Sequence, residues 1–160
     1  MSRKSNSARA RVDRASAMVA ATRAEVYRAL VDRQAVGSWL PPSGAVGIIH
    51  DFEPVPGGAF SMTLLFEAIG TGKSTDRSDI LEGTFLKLDP DRLVRQGFRF
   101  VSEDPRFQGN MIVTWRLFAT RGGTRVTVSA RDVPPGILQQ EHEAGMASSL
   151  LKLAAYLARK

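Results

Sequence analysis

The chain has 160 residues, 43% of them apolar and 24% charged, with 22 Lys plus Arg against 16 Asp plus Glu and no cysteine. A chain of this length buries a sizeable core without covalent staples, and the missing cysteine excludes a disulfide framework, thiolate zinc sites and a cysteine nucleophile. The net charge of +6 and a pI near 10.3 resemble the footprint of a nucleic-acid binder, so the excess base has to be located first.

Residues 1–14 hold Arg3, Lys4, Arg9, Arg11 and Arg14 against Asp13 alone, and Lys152, Arg159 and Lys160 crowd the other end. Between them 14 basic and 15 acidic residues nearly cancel. The expectation is a basic flexible tail over 1–8 followed by a single domain over 9–160, with no specific nucleic-acid partner. No run of roughly 18 apolar residues and no secretory segment occurs, which predicts a soluble, cytoplasmic protein without a membrane span.

Alternation over 10–19 predicts a first strand. Thr22-Arg-Ala-Glu25 then has the spacing of a capping box and opens a helix over 23–31, whose Val26, Ala29 and Leu30 fall on one face. A second short helix over 33–40 is closed by Pro41-Pro42. From Gly44 the period becomes two, and strands are predicted over 46–52, 59–66, 78–88, 92–100, 110–119 and 124–131. Pro56-Gly57-Gly58, Asp89-Pro90-Asp91 and Gly122-Gly123 are turn chemistry, and such short connections force antiparallel pairing. After Pro134-Pro135-Gly136 a helical period returns over 137–160, with Met146, Leu150, Leu153 and Leu157 in one stripe and His142 one turn before Met146 on the same face. A curved sheet with one apolar face needs a cover, and this helix is the only element long enough to provide it.

Most chemical motifs fail on spacing. Gly70-Thr-Gly-Lys-Ser-Thr75 lacks the glycine that a phosphate-binding loop requires at position 67, and a strand follows it rather than a helix, so a hairpin loop is expected. His50 and His142 belong to no metal-ligand pair and no serine sits in a nucleophile elbow, so neither a metal nor a cofactor is expected. His142 remains of interest either as a partly buried, hydrogen-bonded histidine or as an acid/base. Glu82 shares its alternation phase with Ile80, Thr84 and Leu86, which would turn it towards the helix, desolvate it and suit it to acid/base work or ligand anchoring. Leu81 and Phe85 argue for the opposite phase, with Glu82 in solvent. Trp39, Phe60, Met62, Trp115 and Met146 would line the space between sheet and helix, as plain core or as the wall of a cavity for a small apolar ligand.

Several segments together carry a family resemblance: Val26-Tyr-Arg-Ala-Leu30 with Trp39-Leu-Pro-Pro, Phe52-Glu-Pro-Val-Pro-Gly-Gly58, Glu82-Gly-Thr-Phe-Leu-Lys-Leu-Asp-Pro90, and Glu141-His-Glu-Ala-Gly-Met146 leading into Leu150, Leu153, Tyr156 and Leu157. In order and spacing the chain resembles the START-like SRPBCC superfamily, and within it the homologues of the activator of heat shock protein 90 ATPase, C-terminal-domain type. The resemblance implies an α+β helix-grip fold, a seven-stranded antiparallel sheet wrapped around a long C-terminal helix, with two short helices after the first strand and a pocket between. Gly145-Met146 stands where family members commonly carry Gly-Trp, which implies a more adaptable wall. The superfamily hosts lipid carriers, receptors, cyclases and cochaperone domains, so fold alone does not assign function. The expected function is binding of a small hydrophobic or amphipathic ligand by Trp39, Phe60, Met62, Glu82, Trp115, His142 and Met146. The alternatives are a cochaperone-like module acting on a chaperone, and a cyclase or dehydratase using His142 or Glu82. A homodimer is compatible with all three.

Overall fold

The computed structural model describes residues 10–158, so the basic tail expected over 1–8 and the last two basic residues lie outside the described part. β1 (Val12–Val19) is followed by α1 (Arg23–Leu30) and α2 (Arg33–Trp39). Six strands come next: β2 (Ala45–Phe52), β3 (Ala59–Phe66), β4 (Ser78–Asp89), β5 (Leu93–Phe100), β6 (Met111–Thr120) and β7 (Gly123–Arg131). A single turn of 3-10 helix, Pro105–Phe107, interrupts the β5–β6 connection, and α3 (Gln139–Ala158) closes the described chain. The strands form one antiparallel sheet in the order β1-β7-β6-β5-β4-β3-β2. This is the helix-grip architecture, with every expected element present to within two residues at each described boundary.

Local chemistry accounts for the elements. Thr22 and Glu25 make the reciprocal bonds of a capping box at the start of α1, and the Asp32 carboxylate accepts from the Ala35 N–H at the start of α2. In β3 the alternation places Phe60, Met62 and Leu64 inward, and in β6 Met111, Val113, Trp115 and Leu117. Curvature needs close strand approach at one point: a Cβ on Gly83 would overlap the Gly97 carbonyl of the neighbouring strand.

β1 and β2 are the two edges of the sheet, so α1 and α2 cross its open side from one edge to the other. α3 lies along the inside, against β1 and both short helices. Its buried stripe is Met146, Ser149, Leu150, Leu153 and Leu157. Two serine and lysine contacts fix its second half to the end of α2: the Ser149 hydroxyl donates to the Leu40 carbonyl at 2.6 Å, and the Lys152 ammonium to the Pro41 carbonyl at 2.6 Å. Ser148 accepts from the Ser43 N–H at 3.0 Å. The closure between helix pair and terminal helix is therefore polar, whereas the interior is apolar.

Candidate functional site

The space enclosed by sheet, helix pair and α3 is where the expected residues meet. Trp39, at the end of α2, is buried and donates its indole N–H to the Ala29 carbonyl at 2.9 Å. Its ring meets Trp115 edge to face at 5.2 Å. Phe60 forms similar contacts with Phe52, Phe85 and Phe98 at 5.3–5.9 Å between centroids, arrangements that add about 0.5–1.5 kcal/mol per pair beyond burial. Met62, Met111 and Met146 are buried in the same core. Five of the seven expected lining residues, Trp39, Phe60, Met62, Trp115 and Met146, are thus inward and share one apolar cluster. Two surface clefts of about 460 and 450 Å³ lie elsewhere, around Asp32 and the α1–α2 turn, and none of these five residues lines either.

Gln96 is the polar exception within this lining. It sits on β5 between Val94 and Phe98, faces Phe85 and Val113 on the adjoining strands, and is 6% exposed. Its side-chain oxygen accepts from the Trp115 indole N–H at 3.2 Å. An indole nitrogen only donates, so that contact fixes the amide orientation and leaves the Gln96 amino group pointing elsewhere. Among the described residues nothing accepts from that amino group. Other buried polar side chains are taken up: Asp79 by Lys73, Ser78 by Thr75, Thr124 by the Ala21 carbonyl, Ser149 by that of Leu40. An orphaned buried donor costs about 1–3 kcal/mol. Its sequence signal was a polar residue in the apolar phase of Val94, Phe98 and Phe100.

His142 lies at the other end, near the start of α3. Its side chain is 18% exposed and Nδ1 donates to the carboxylate of the completely buried Asp13 at 2.7 Å. Arg11 grips the same carboxylate through Nε and Nη2, both at 2.8 Å, and its Nη2 also reaches the Ile137 carbonyl at 2.6 Å. Burial pushes the Asp13 carboxyl up, but the hydrogen bonds and charges of Arg11 and His142 outweigh it and hold the group below the ordinary carboxylate range. Gln139 to the Val12 carbonyl and the Arg14 N–H to Glu143 complete a polar clamp between β1 and α3. The arrangement orients one imidazole and joins two elements. Asp13 and Arg11 were not singled out from sequence, although Asp13 occupies the inward phase of its strand beside Ala15 and Ala17.

Glu82 requires a correction. It lies on the outer face of β4, 49% exposed and ion-paired with Arg99 of β5, so the helix-facing assignment does not hold. Leu81 and Phe85 set the inward phase of this strand, Leu86 shares the outward phase of Glu82, and a bulge between Phe85 and Lys87 then reverses the alternation so that Leu88 packs against the core. The loop after β3 is a hairpin connection as expected, and its Lys73 is committed: both its N–H and its ammonium bind Asp79, each at 2.7 Å. Among the described residues no three His, Asp or Glu side chains gather as a metal site, and no helix is long and apolar enough to cross a membrane.

Comparison with known proteins agrees with this architecture. The family model described as activator of Hsp90 ATPase homolog 1-like protein matches residues 20–158. A crystal structure of a protein from Chromobacterium violaceum is similar at 29% identity and a TM-score of 0.80, covering 90% of this chain and 94% of that one. The AHSA1 protein of Silicibacter pomeroyi superposes with a TM-score of 0.76 at 20% identity, covering 93% of this chain and 99% of the other. A solution structure from Arthrobacter aurescens gives 0.77 at 15% identity over 93% and 87%. These last two show likeness of fold alone. No curated protein sequence matches.

Proposed function

The chain belongs to the activator of Hsp90 ATPase homolog 1-like family, and from that premise we propose that it binds a small, largely apolar ligand carrying a hydrogen-bond acceptor, held between the sheet and α3. The observation that carries this reading is the orphaned amino group of Gln96, buried among Phe85, Phe98, Val113 and Trp115. A carbonyl or ether oxygen of a ligand would satisfy it, and selectivity over a hydrocarbon of the same shape would follow. Room comes from the side chains that repack most easily: Met62, Met111 and Met146 are unbranched thioethers in the same cluster. Trp39, Phe60 and Trp115 form the wall, and the polar closure of Ser149 and Lys152 on Leu40 and Pro41 is the place where the helix pair can part from α3.

His142 has a smaller part in this account. Its bond to Asp13 supports a structural clamp that holds the start of α3 on β1, and leaves Nε2 as the ring nitrogen facing away from the carboxylate. The test is thermal stabilisation of the protein by a panel of lipids and aromatic ketones, since a ligand that binds only the native state raises the melting temperature. Stabilisation by ketones but not by matched hydrocarbons supports the reading, and absence of any stabilisation across the panel overturns it.

A further inference from the structure

The outer face of the sheet carries a separate feature. Register places Arg14 of β1, Ser129 of β7, Thr114 of β6, Arg95 of β5 and Lys87 of β4 side by side in one row across five strands. Arg131 flanks that row on β7 and Arg116 on β6, two residues away on either side. At strand spacing the row is roughly 19 Å long. Arg125 continues the basic character on β7, directly between Met18 and Phe118, which are 47% and 48% exposed.

Two facts mark this as more than a solvated face. Among the described residues none of Arg14, Lys87, Arg95, Arg116, Arg125 and Arg131 has an ion-pair partner. On the outward positions of these five strands the carboxylates, Glu82 and Asp89, are taken by Arg99 and Arg92. Lys87 and Arg95 also stand directly opposite each other, and like charges in that relation destabilise a strand pair. With base and acid nearly balanced over residues 15–150, this concentration is a matter of placement, not of composition.

We infer that this face docks an acidic segment of a partner protein. Charge complementarity names the sign, and clustered base of this kind steers an oppositely charged partner and fixes its register. Met18 and Phe118 beside Arg125 offer an apolar contact in a parallel row four residues along β7 from Ser129, which an acidic segment bearing an aliphatic or aromatic residue can use. A nucleic-acid backbone would leave that contact unused. Phe118 is the one aromatic at the outward positions of these five strands, too few for a base-stacking platform.

The inference is independent of the interior ligand and is tested with the full chain. Poly-L-glutamate, a 20-base-pair DNA duplex and phosphatidylserine vesicles are titrated separately at low and physiological salt. Poly-L-glutamate is expected to bind with strong salt dependence, and Arg14→Gln/Arg95→Gln/Arg116→Gln to weaken it about tenfold or more. Arg23→Gln/Arg28→Gln, which removes charge on α1, should leave it within about twofold. Circular dichroism and an unchanged melting temperature establish that the triple variant is folded. Failure of poly-L-glutamate to bind, indifference to the triple variant, or tighter binding of duplex or vesicles through the same arginines would each overturn the assignment.

Discussion

His142 Nδ1 and the Asp13 carboxylate meet at 2.7 Å across 129 residues of sequence, with Asp13 completely buried and Arg11 closing on its other side. The first strand and the start of the terminal helix are therefore joined by charge-assisted hydrogen bonds at the edge of an otherwise apolar interior.

Removing the carboxylate leaves two cationic or donor groups facing each other. Asp13→Ala is expected to destabilise the fold by about 2–4 kcal/mol, below the upper range for a broken buried pair because Arg11 and His142 retain some solvent. Urea unfolding measures it. A loss under about 0.5 kcal/mol would remove the clamp from the account.

The same group sets an acid limb. Its pKa is lower in the folded protein than in the unfolded chain, so its contribution is fully present above the unfolded value of about 3.9 and is lost as pH falls through the lower folded value. Stability of the wild type should decline over that window. Asp13→Asn, which is uncharged throughout, should show a shallower decline there in pH-dependent urea midpoints.

Gln96 and Trp115 form a pair whose members are expected to be non-additive. Gln96→Leu strips the Trp115 indole of its acceptor and Trp115→Phe strips Gln96 of its donor, each at about 1–3 kcal/mol from unmet hydrogen bonding. Replacing both makes the site apolar, and the double variant should be less destabilised than the sum of the singles. Additivity within about 0.3 kcal/mol would mean that the hydrogen bond is absent in solution.

Ser149→Ala releases the Leu40 carbonyl and loosens the closure between α3 and the end of α2. The expected cost is about 1 kcal/mol, with amide exchange at residues 40–43 and in the second half of α3 rising together. Exchange confined to one side would show that the two do not open as a unit.

The fold was largely legible because its signals are local. The capping box of Thr22 and Glu25, the Pro-Gly punctuation and the alternation of Phe60, Met62 and Leu64 each specify backbone within a few residues. The site was legible only in its apolar half. Trp39, Phe60, Met62, Trp115 and Met146 announce burial by spacing, whereas the polar members depend on contacts between distant elements, as with Asp13 and His142. Glu82 was ambiguous for a physical reason: Ile80 and Leu86 place apolar side chains in its own outward phase, and the bulge after Phe85 reverses the alternation so that Leu88 packs inward. The basic row was invisible for another, since Arg14, Lys87 and Arg95 come from three separate strands and only the pairing register aligns them.

The central claim is that Gln96 holds the acceptor atom of an enclosed ligand, and both tryptophans lie in the lining to report it. The decisive measurement is tryptophan fluorescence titration of wild type and Gln96→Leu with 1-tetralone and with tetralin, which has the same shape without the carbonyl. The account predicts that wild type prefers the ketone by about fivefold or more and that Gln96→Leu binds the two alike. Equal binding of both by the wild type, or a ketone preference that survives in Gln96→Leu, would contradict it.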